Sequence, residues 1–346
     1  MLIKNAWYVA AWAHEVGQAP FARRICNEPV VLFRDLTANK VAAIEDRCCH
    51  RGAPLQFGKV IDRGLQCGYH GLVFNGEGQC VEIPGQENIP AKARIRSYPV
   101  YEKDEIIWIW MGDPALAKAE EIFDYPYHND HVNWPHRHEI YHVKSNYTLL
   151  VDNLMDLTHL AYVHVGSIGG DPKQTHDAKM TVTRTDTGLR FQRWMPGCTP
   201  PPTYTKAVPG LANRVDRWQE FEFFAPGVVI QWTGATDENT GAFDANPQRE
   251  GGVSMRIFHG LTPETDTTCH YFWSTANGYR QDDPSATEQL FDEIARAFMD
   301  DKRVVEAQQE RLMELSSRPL VDITSDAARV HMRRTLERMA KEERLV

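Results

Sequence analysis

No apolar run in these 346 residues approaches the length needed to cross a bilayer, and the opening Met1-Leu2-Ile3-Lys4-Asn5-Ala6-Trp7 carries no secretory signal pattern. Both absences point to a soluble protein of the cytoplasm. Basic clusters are missing too, and the net charge of −9 argues against nucleic acid as a partner. No Gly-x-Gly-x-x-Gly follows a strand and no phosphate-binding loop occurs; Gly76 and Gly78 have no third glycine in register. The chain thus shows no site of its own for NADH or a flavin. Cysteine is sparse, seven in all, and the odd number speaks against a disulfide framework and fits a reducing compartment. There is no internal repeat and no low-complexity tract.

What the chain does have is two short runs, Cys48-Cys49-His50 and Cys67-Gly68-Tyr69-His70, each with one thiol and one imidazole in the same order. A Rieske [2Fe–2S] cluster takes two Cys on one iron and two His on the other, so two such loops would clamp it from opposite sides. A Cys₂His₂ zinc site is the competing reading, but zinc fingers usually group Cys with Cys and His with His. Gly52, Pro54, Gly58, Gly64, Gly68 and Gly71 around these runs suit irregular loops.

The Cys-x-His-x₁₆-Cys-x₂-His pattern, followed by Gly71-Leu72 and Pro84-Gly85-Gln86, resembles the oxygenase components of Rieske non-haem iron oxygenases. Within them it is most similar to aromatic O-demethylases of the vanillate and dicamba type and to the toluenesulfonate methyl-monooxygenase. The resemblance starts at Asn5-Ala6-Trp7-Tyr8-Val9-Ala10 and runs nearly end to end. Cys49 departs from it, standing where the family often has proline; it reads as a spare packed thiol.

A second motif lies in Leu149–His164, where Asp152, Asp156 and His159 are four and three residues apart and would share one face of a helix. His164 falls about 140° further round, so it joins His159 on one metal only if the helix bends near its end, as Gly166, Gly169 and Gly170 would allow. Two His and a carboxylate on one face of an iron leave positions open for oxygen. The bland alternative is a buried helix with satisfied histidines, but burying these charges without a metal would be expensive. The resemblance implies His159 and His164 as iron ligands, Asp156 as the carboxylate linking them to a neighbouring cluster, and Asn153 as a residue lining the site. It also places the third ligand in Phe298–Ala307, at Asp301 in preference to Asp300; helix neighbours differ by about 100°, so only one of the two can face the iron.

At this length two domains are expected. Short strands at Pro29–Phe33, Lys40–Ile44 and Glu105–Trp110, with a tight turn at Asn75–Gly78, predict a small all-β domain over 1–114. Residues 115–137 read as a linker. The remainder, 138–346, carries longer strands at Lys179–Thr185, Leu189–Met195, Arg217–Phe224, Gly227–Thr233, Met255–Leu261 and Thr268–Thr275, then helices over about 285–315 and 325–343. The fold class is therefore α+β: a Rieske domain, then an antiparallel sheet wrapping a long helix, the helix-grip catalytic domain of the resemblance.

The resemblance implies a terminal oxygenase with two cofactors, the [2Fe–2S] cluster and a mononuclear Fe(II). Its partners would be a flavin and [2Fe–2S] reductase fed by NADH, and two further copies of the chain in a homotrimer. Its substrate would be a small aromatic acid, contacted by His259 in Arg256–Pro263 and by Gln231 in Val228–Trp232. Hydroxylation of an aryl methoxy group yields a hemiacetal that falls apart to formaldehyde and a phenol, and O-demethylation is the first expectation. Hydroxylation of a ring methyl on a sulfonate or carboxylate is the alternative, with ring dihydroxylation third. A Rieske electron carrier would leave the Asp/His segment idle, and a hydrophobe-binding module would need neither metal motif. Iron content separates the three: three, two or no irons per chain.

Overall fold

The computed structural model describes residues 2–36 and 39–345, in two compact units. The first takes residues up to Tyr125, with Thr262–Asp266 and the C-terminal residues from Glu343; the second takes Pro126–Leu261 and Thr267–Glu342. No helix among the described residues is long and apolar enough to cross a membrane.

The first unit is built of small antiparallel sheets. One has strands Trp7–Trp12, Ile106–Trp110 and Val100–Lys103; a second has Phe21–Ile25, Glu28–Asp35, Lys40–Glu45 and Ser97–Tyr98. A third is made of Lys59–Ile61, Gly64–Gln66, Val73–Phe74 and Cys80–Glu82. The expected turn joins the last two of these: Asn75 Oδ1 accepts from the amides of Glu77 and Gln79 at 3.1 and 2.9 Å. Val31, Phe33, Ile44, Leu55, Leu65, Leu72 and Phe74 form one apolar cluster, and Cys48 and Cys67 are part of it.

The second unit carries a seven-stranded antiparallel sheet in the order His136–Val143, Cys269–Asn277, Val253–Pro263, Val228–Asp237, Val215–Phe224, Gly188–Cys198, Lys179–Arg184. The first of these was not foreseen. His136–Val143 is an edge strand of mostly polar, half-exposed residues, so it lacks the hydrophobic signal of an interior strand. Residues 115–137 contain short 3₁₀ turns at Ala119–Glu121 and Pro126–His128 before that strand begins.

Against the sheet lies the helix Pro284–Glu314, started by Asp283, whose carboxylate accepts from the Ser285 amide, with Pro284 at the first helical position. Leu290, Ile294, Ala297, Phe298 and Val305 recur at helical spacing as its buried stripe, and Asp301 falls in that stripe. Phe298 meets Trp273 edge-on at 5.1 Å and Tyr271 at 5.7 Å, pairs worth about 1 kcal/mol each beyond their burial. A rigid helix face thus presents the Asp301 carboxylate inward.

Candidate metal centres

The two Cys/His loops have the same internal design. The Cys48 amide donates to the Ala53 carbonyl at 2.9 Å and the Gly52 amide to the Cys48 carbonyl at 2.9 Å. In the second loop the Cys67 amide donates to Leu72 at 2.7 Å and the Gly71 amide to Cys67 at 3.1 Å. Both loops turn through a glycine in the left-handed region, Gly52 at φ +70° and Gly71 at φ +77°. Each fold-back sinks the thiol and leaves the imidazole outside: Cys48 and Cys67 are buried, His50 and His70 exposed. The two rings meet edge to face at 4.6 Å. Burial pushes the Cys48 thiol up to about 11, so a thiolate there needs a cation at the sulfur. Paired thiols inside and paired imidazoles outside suit a two-iron cluster with chemically different irons. Cys49 is not packed as expected; it is exposed, because its neighbour Cys48 takes the inward position.

The second centre draws on distant parts of the chain. His159 Nε2 and His164 Nε2 lie 3.4 and 3.1 Å from the same oxygen, Asp301 Oδ1. Metal bonds of about 2.1 Å at right angles put ligand atoms about 3.0 Å apart, so one ion fits this triad. Asp301 is buried, and no Lys or Arg among the described residues pairs with it, which leaves a metal as its natural counter-charge. Asn153 donates to the same oxygen at 3.1 Å. Asp300 points away and pairs with Arg303 at 3.3 Å. His159 donates from Nδ1 to the Asp156 main-chain carbonyl at 2.6 Å, which leaves Nε2 as its free lone pair toward Asp301. Burial also lowers the His159 pKa and favours the neutral, ligating ring.

Asp152, Asp156 and His159 do not share a helix face. The helix Tyr147–Leu154 stops, Asp156 is extended, and a 3₁₀ turn Leu157–His159 restarts the chain before Leu160–Val163. The Asp156 carboxylate causes the break: it accepts from the Thr158 amide at 2.9 Å and the Thr158 hydroxyl at 2.8 Å, capping a new turn. Its other oxygen accepts from Ser325 at 3.0 Å, so the main chain of Asp156, and not its carboxylate, holds His159. Asp152 faces away from the metal donors and pairs with Arg333 at 2.8 Å. The chain therefore breaks twice, at Asp156 before His159 and again where the helix Leu160–Val163 ends and His164 leaves the helical region at φ −115°, ψ 36°, the second break being the expected one.

Beside the triad is a largely enclosed, mostly apolar cavity. Asn153, His159 and Asp301 form part of its wall; Leu157, Ile257, Ile294 and Phe298 supply apolar surface. Gln231, Gln219, Thr233 and Arg217 supply the polar part.

A Rieske [2Fe-2S] domain model matches residues 6–99, and the vanillate O-demethylase oxygenase C-terminal domain matches residues 143–342. The iron-sulfur subunit TsaM1 of the toluene-4-sulfonate monooxygenase system of Comamonas testosteroni is 41% identical over 99% of this chain and 98% of its own. The vanillate O-demethylase oxygenase subunit of a Pseudomonas species (strain HR199 / DSM 7063) is 37% identical over 99% and 96%. The crystal structure of dicamba monooxygenase bound to 3,6-dichlorosalicylic acid superposes with a TM-score of 0.91 at 36% identity, covering 99% of this chain and 98% of that one.

The chain belongs to the Rieske non-haem iron oxygenases.

This oxygenase is thus the oxygenase component of a multicomponent monooxygenase, dependent on a separate reductase. Its cofactors are a Rieske [2Fe–2S] cluster and a mononuclear iron; dicamba monooxygenase has been solved with non-haem iron in place.

Of the expected substrate contacts, Gln231 reaches the cavity and His259 does not. His259 is fully buried behind it, with Nδ1 2.8 Å from the Tyr271 hydroxyl and Nε2 3.2 Å from Gln231 Oε1. Because the amide oxygen only accepts, Nε2 carries the proton and Nδ1 accepts from Tyr271. The relay holds Gln231 with its NH₂ group as the spare donor. Sequence reading missed Arg217 and Arg193, two buried arginines of the oxygenase sheet. Alternation was the available signal, since each is a charged residue on the same strand face as large apolar ones, Arg193 with Phe191 and Met195 and Arg217 with Val215 and Phe221.

Proposed function

We propose that this oxygenase inserts oxygen into a methyl C–H bond of a small aromatic acid, with O-demethylation of an aryl methoxy acid as the first reading. The cavity carries the proposal: it is largely apolar, has a polar stretch suited to orienting an acid, and opens directly onto His159 and Asp301. In this reading His159, His164 and Asp301 ligate the iron, and Cys48, His50, Cys67 and His70 ligate the cluster. Iron bound at the triad activates O₂ with electrons drawn from the cluster. The chain itself excludes water with Leu157, Ile294 and Phe298 and keeps His159 in its ligating tautomer through the Asp156 carbonyl. Asn153 steadies the Asp301 carboxylate. In the balanced reaction ArOCH₃, O₂, two electrons and two protons give ArOCH₂OH and water; the hemiacetal then releases formaldehyde and the phenol.

The electrons come from an NADH-dependent reductase carrying a flavin and a [2Fe–2S] centre, and the working form is a homotrimer. There His70 of one copy approaches Asp156 of the next, whose carboxylate lies at a surface recess with Arg329 and Arg333. Identity of 41% to a toluene-4-sulfonate monooxygenase subunit favours a second reading, hydroxylation of a ring methyl to a benzylic alcohol. The purified chain with a compatible reductase and NADH, offered methoxy- and methyl-substituted benzoates and sulfonates, separates them. Formaldehyde released in step with NADH use is the expected result. Alcohol formed only from methyl substrates, without formaldehyde, would move the assignment to the second reading.

A further inference from the structure

Arg217 and Arg193 are each 4% exposed, and no carboxylate pairs with either among the described residues. Even half-buried arginines here have an acid: Arg23 pairs with Glu15, Arg333 with Asp152 and Arg249 with Glu220. Arg217 gives one hydrogen bond to the Gly169 carbonyl at 2.9 Å and one to the Ile168 carbonyl at 3.0 Å, and its plane lies over Tyr204 at 5.0 Å. Two neutral carbonyls orient the group without cancelling its charge. Its Nε–H is buried and has no partner. Arg193 makes no hydrogen bond to a described residue; burial and the neighbouring Arg217 charge push it down to about 10 against the weaker, non-bonded pull of the Asp156 carboxylate.

The sheet register brings the two together. Arg193 stands opposite Gln219 and Met195 opposite Arg217, and directly paired residues share a face. That face is the cavity side, because Arg217, Gln219 and Phe221 line the cavity. Two like charges buried side by side with an unmade donor are costly unless an anion joins them. A guanidinium on the cavity wall whose charge no acid cancels attracts the oxygens of an acid group.

We propose that Arg217, supported by the neighbouring charge of Arg193, binds the carboxylate or sulfonate of the aromatic substrate and so aims its methyl-bearing end at His159 and Asp301. The proposal rests on the aromatic-acid reading above and adds the group that recognises the acid. Arg217 touches the substrate; Arg193 is a positioning residue.

The test is equilibrium binding to the intact, cluster- and iron-loaded oxygenase, comparing 3-methoxybenzoate and 4-toluenesulfonate with the uncharged 3-methoxybenzamide. Arg217→Met should weaken binding of both anions about a hundredfold and change the amide less than threefold, with cluster absorbance and iron content unaltered. Arg217→Lys should recover part of the loss, and Arg193→Met should cost about tenfold for the anions only. Should Arg217→Met not fold, Gln219→Glu supplies a competing carboxylate on the adjacent inward position and should give the same selective loss. Unchanged anion binding in the folded variants, or equal losses for acids and amide, would overturn the proposal. Wild-type protein that binds the amide but neither acid would overturn the aromatic-acid reading itself, and this site with it.

Discussion

The donors of the first unit lie between Cys48 and His70 on two loops with matching hydrogen bonds, whereas those of the second unit come from His159, His164 and a helix more than a hundred residues later. In the first unit each loop closes on itself, so its geometry is set by local turns and one left-handed glycine. In the second, no local segment fixes the site: His164 and Asp301 meet at 3.1 Å because the long helix packs on the sheet beside the broken helix. The first design is modular and tolerant of distant change. The second places two imidazoles and a carboxylate with open coordination beside a cavity, which a pair of loops at the surface cannot do. Electron storage needs only the former; substrate oxidation needs the latter.

The largest effect should come from separating the two regions at the iron. Asp301→Asn should lose the mononuclear iron and lower turnover roughly a thousandfold, leaving the cluster spectrum intact. Asp300→Asn should stay near wild type, because that side chain is 43% exposed and bonded only to Arg303. Loss of iron in Asp300→Asn, measured by metal analysis, would reverse the ligand assignment.

The link between regions should be next. If the Asp156 carboxylate joins the centres as proposed, Asp156→Asn should retain both yet slow cluster-to-iron electron transfer about a hundredfold, because the main-chain carbonyl still holds His159. Single-turnover transfer at the wild-type rate would remove Asp156 from the path.

A smaller effect tests how alike the two loops are. Alanine at Gly52 or Gly71 meets the left-handed penalty of about 1–2 kcal/mol. At Gly71 the added Cβ also comes within 2.9 Å of Pro84 Cγ, whereas at Gly52 the nearest atom is the flexible Arg47 side chain at 3.5 Å. Gly71→Ala should therefore lower the thermal midpoint of the cluster-loaded protein more than Gly52→Ala; equal shifts would show that the turn, and not the Pro84 contact, sets the cost.

The smallest expected change concerns pH. Burial pushes His259 down to about 3, so it is neutral from pH 6 to 8. A histidinium contact would weaken anion binding about tenfold per pH unit above its pKa. With His259 neutral throughout, the Kd of the loaded oxygenase for an arene carboxylate should vary less than about twofold over that range. A steep rise above pH 6 would return the anion contact to a histidine.

How much of this was legible follows the same division. The Cys/His loops, the Asn75–Gly78 turn, six strands of the large sheet and both C-terminal helices can be read from spacing and alternation, because each depends on neighbours in sequence. The broken helix at Asp156 was not legible: a carboxylate three or four residues from other polar groups looks the same whether it continues a helix or caps the next turn. His259 looked like a substrate contact because a histidine in an apolar strand marks only a buried polar group, not the direction it faces.

By itself the sequence determined the cofactor chemistry, since thiol and imidazole pairs at fixed short spacing have few uses and fold by local turns. Tertiary structure turned Asp301 inward, as the resemblance implied, and alone set Gln231 in front of His259 and gathered Arg217 and Arg193 on one inner face. Those outcomes depend on helix rotation and strand register, which long-range packing sets and which no local pattern records.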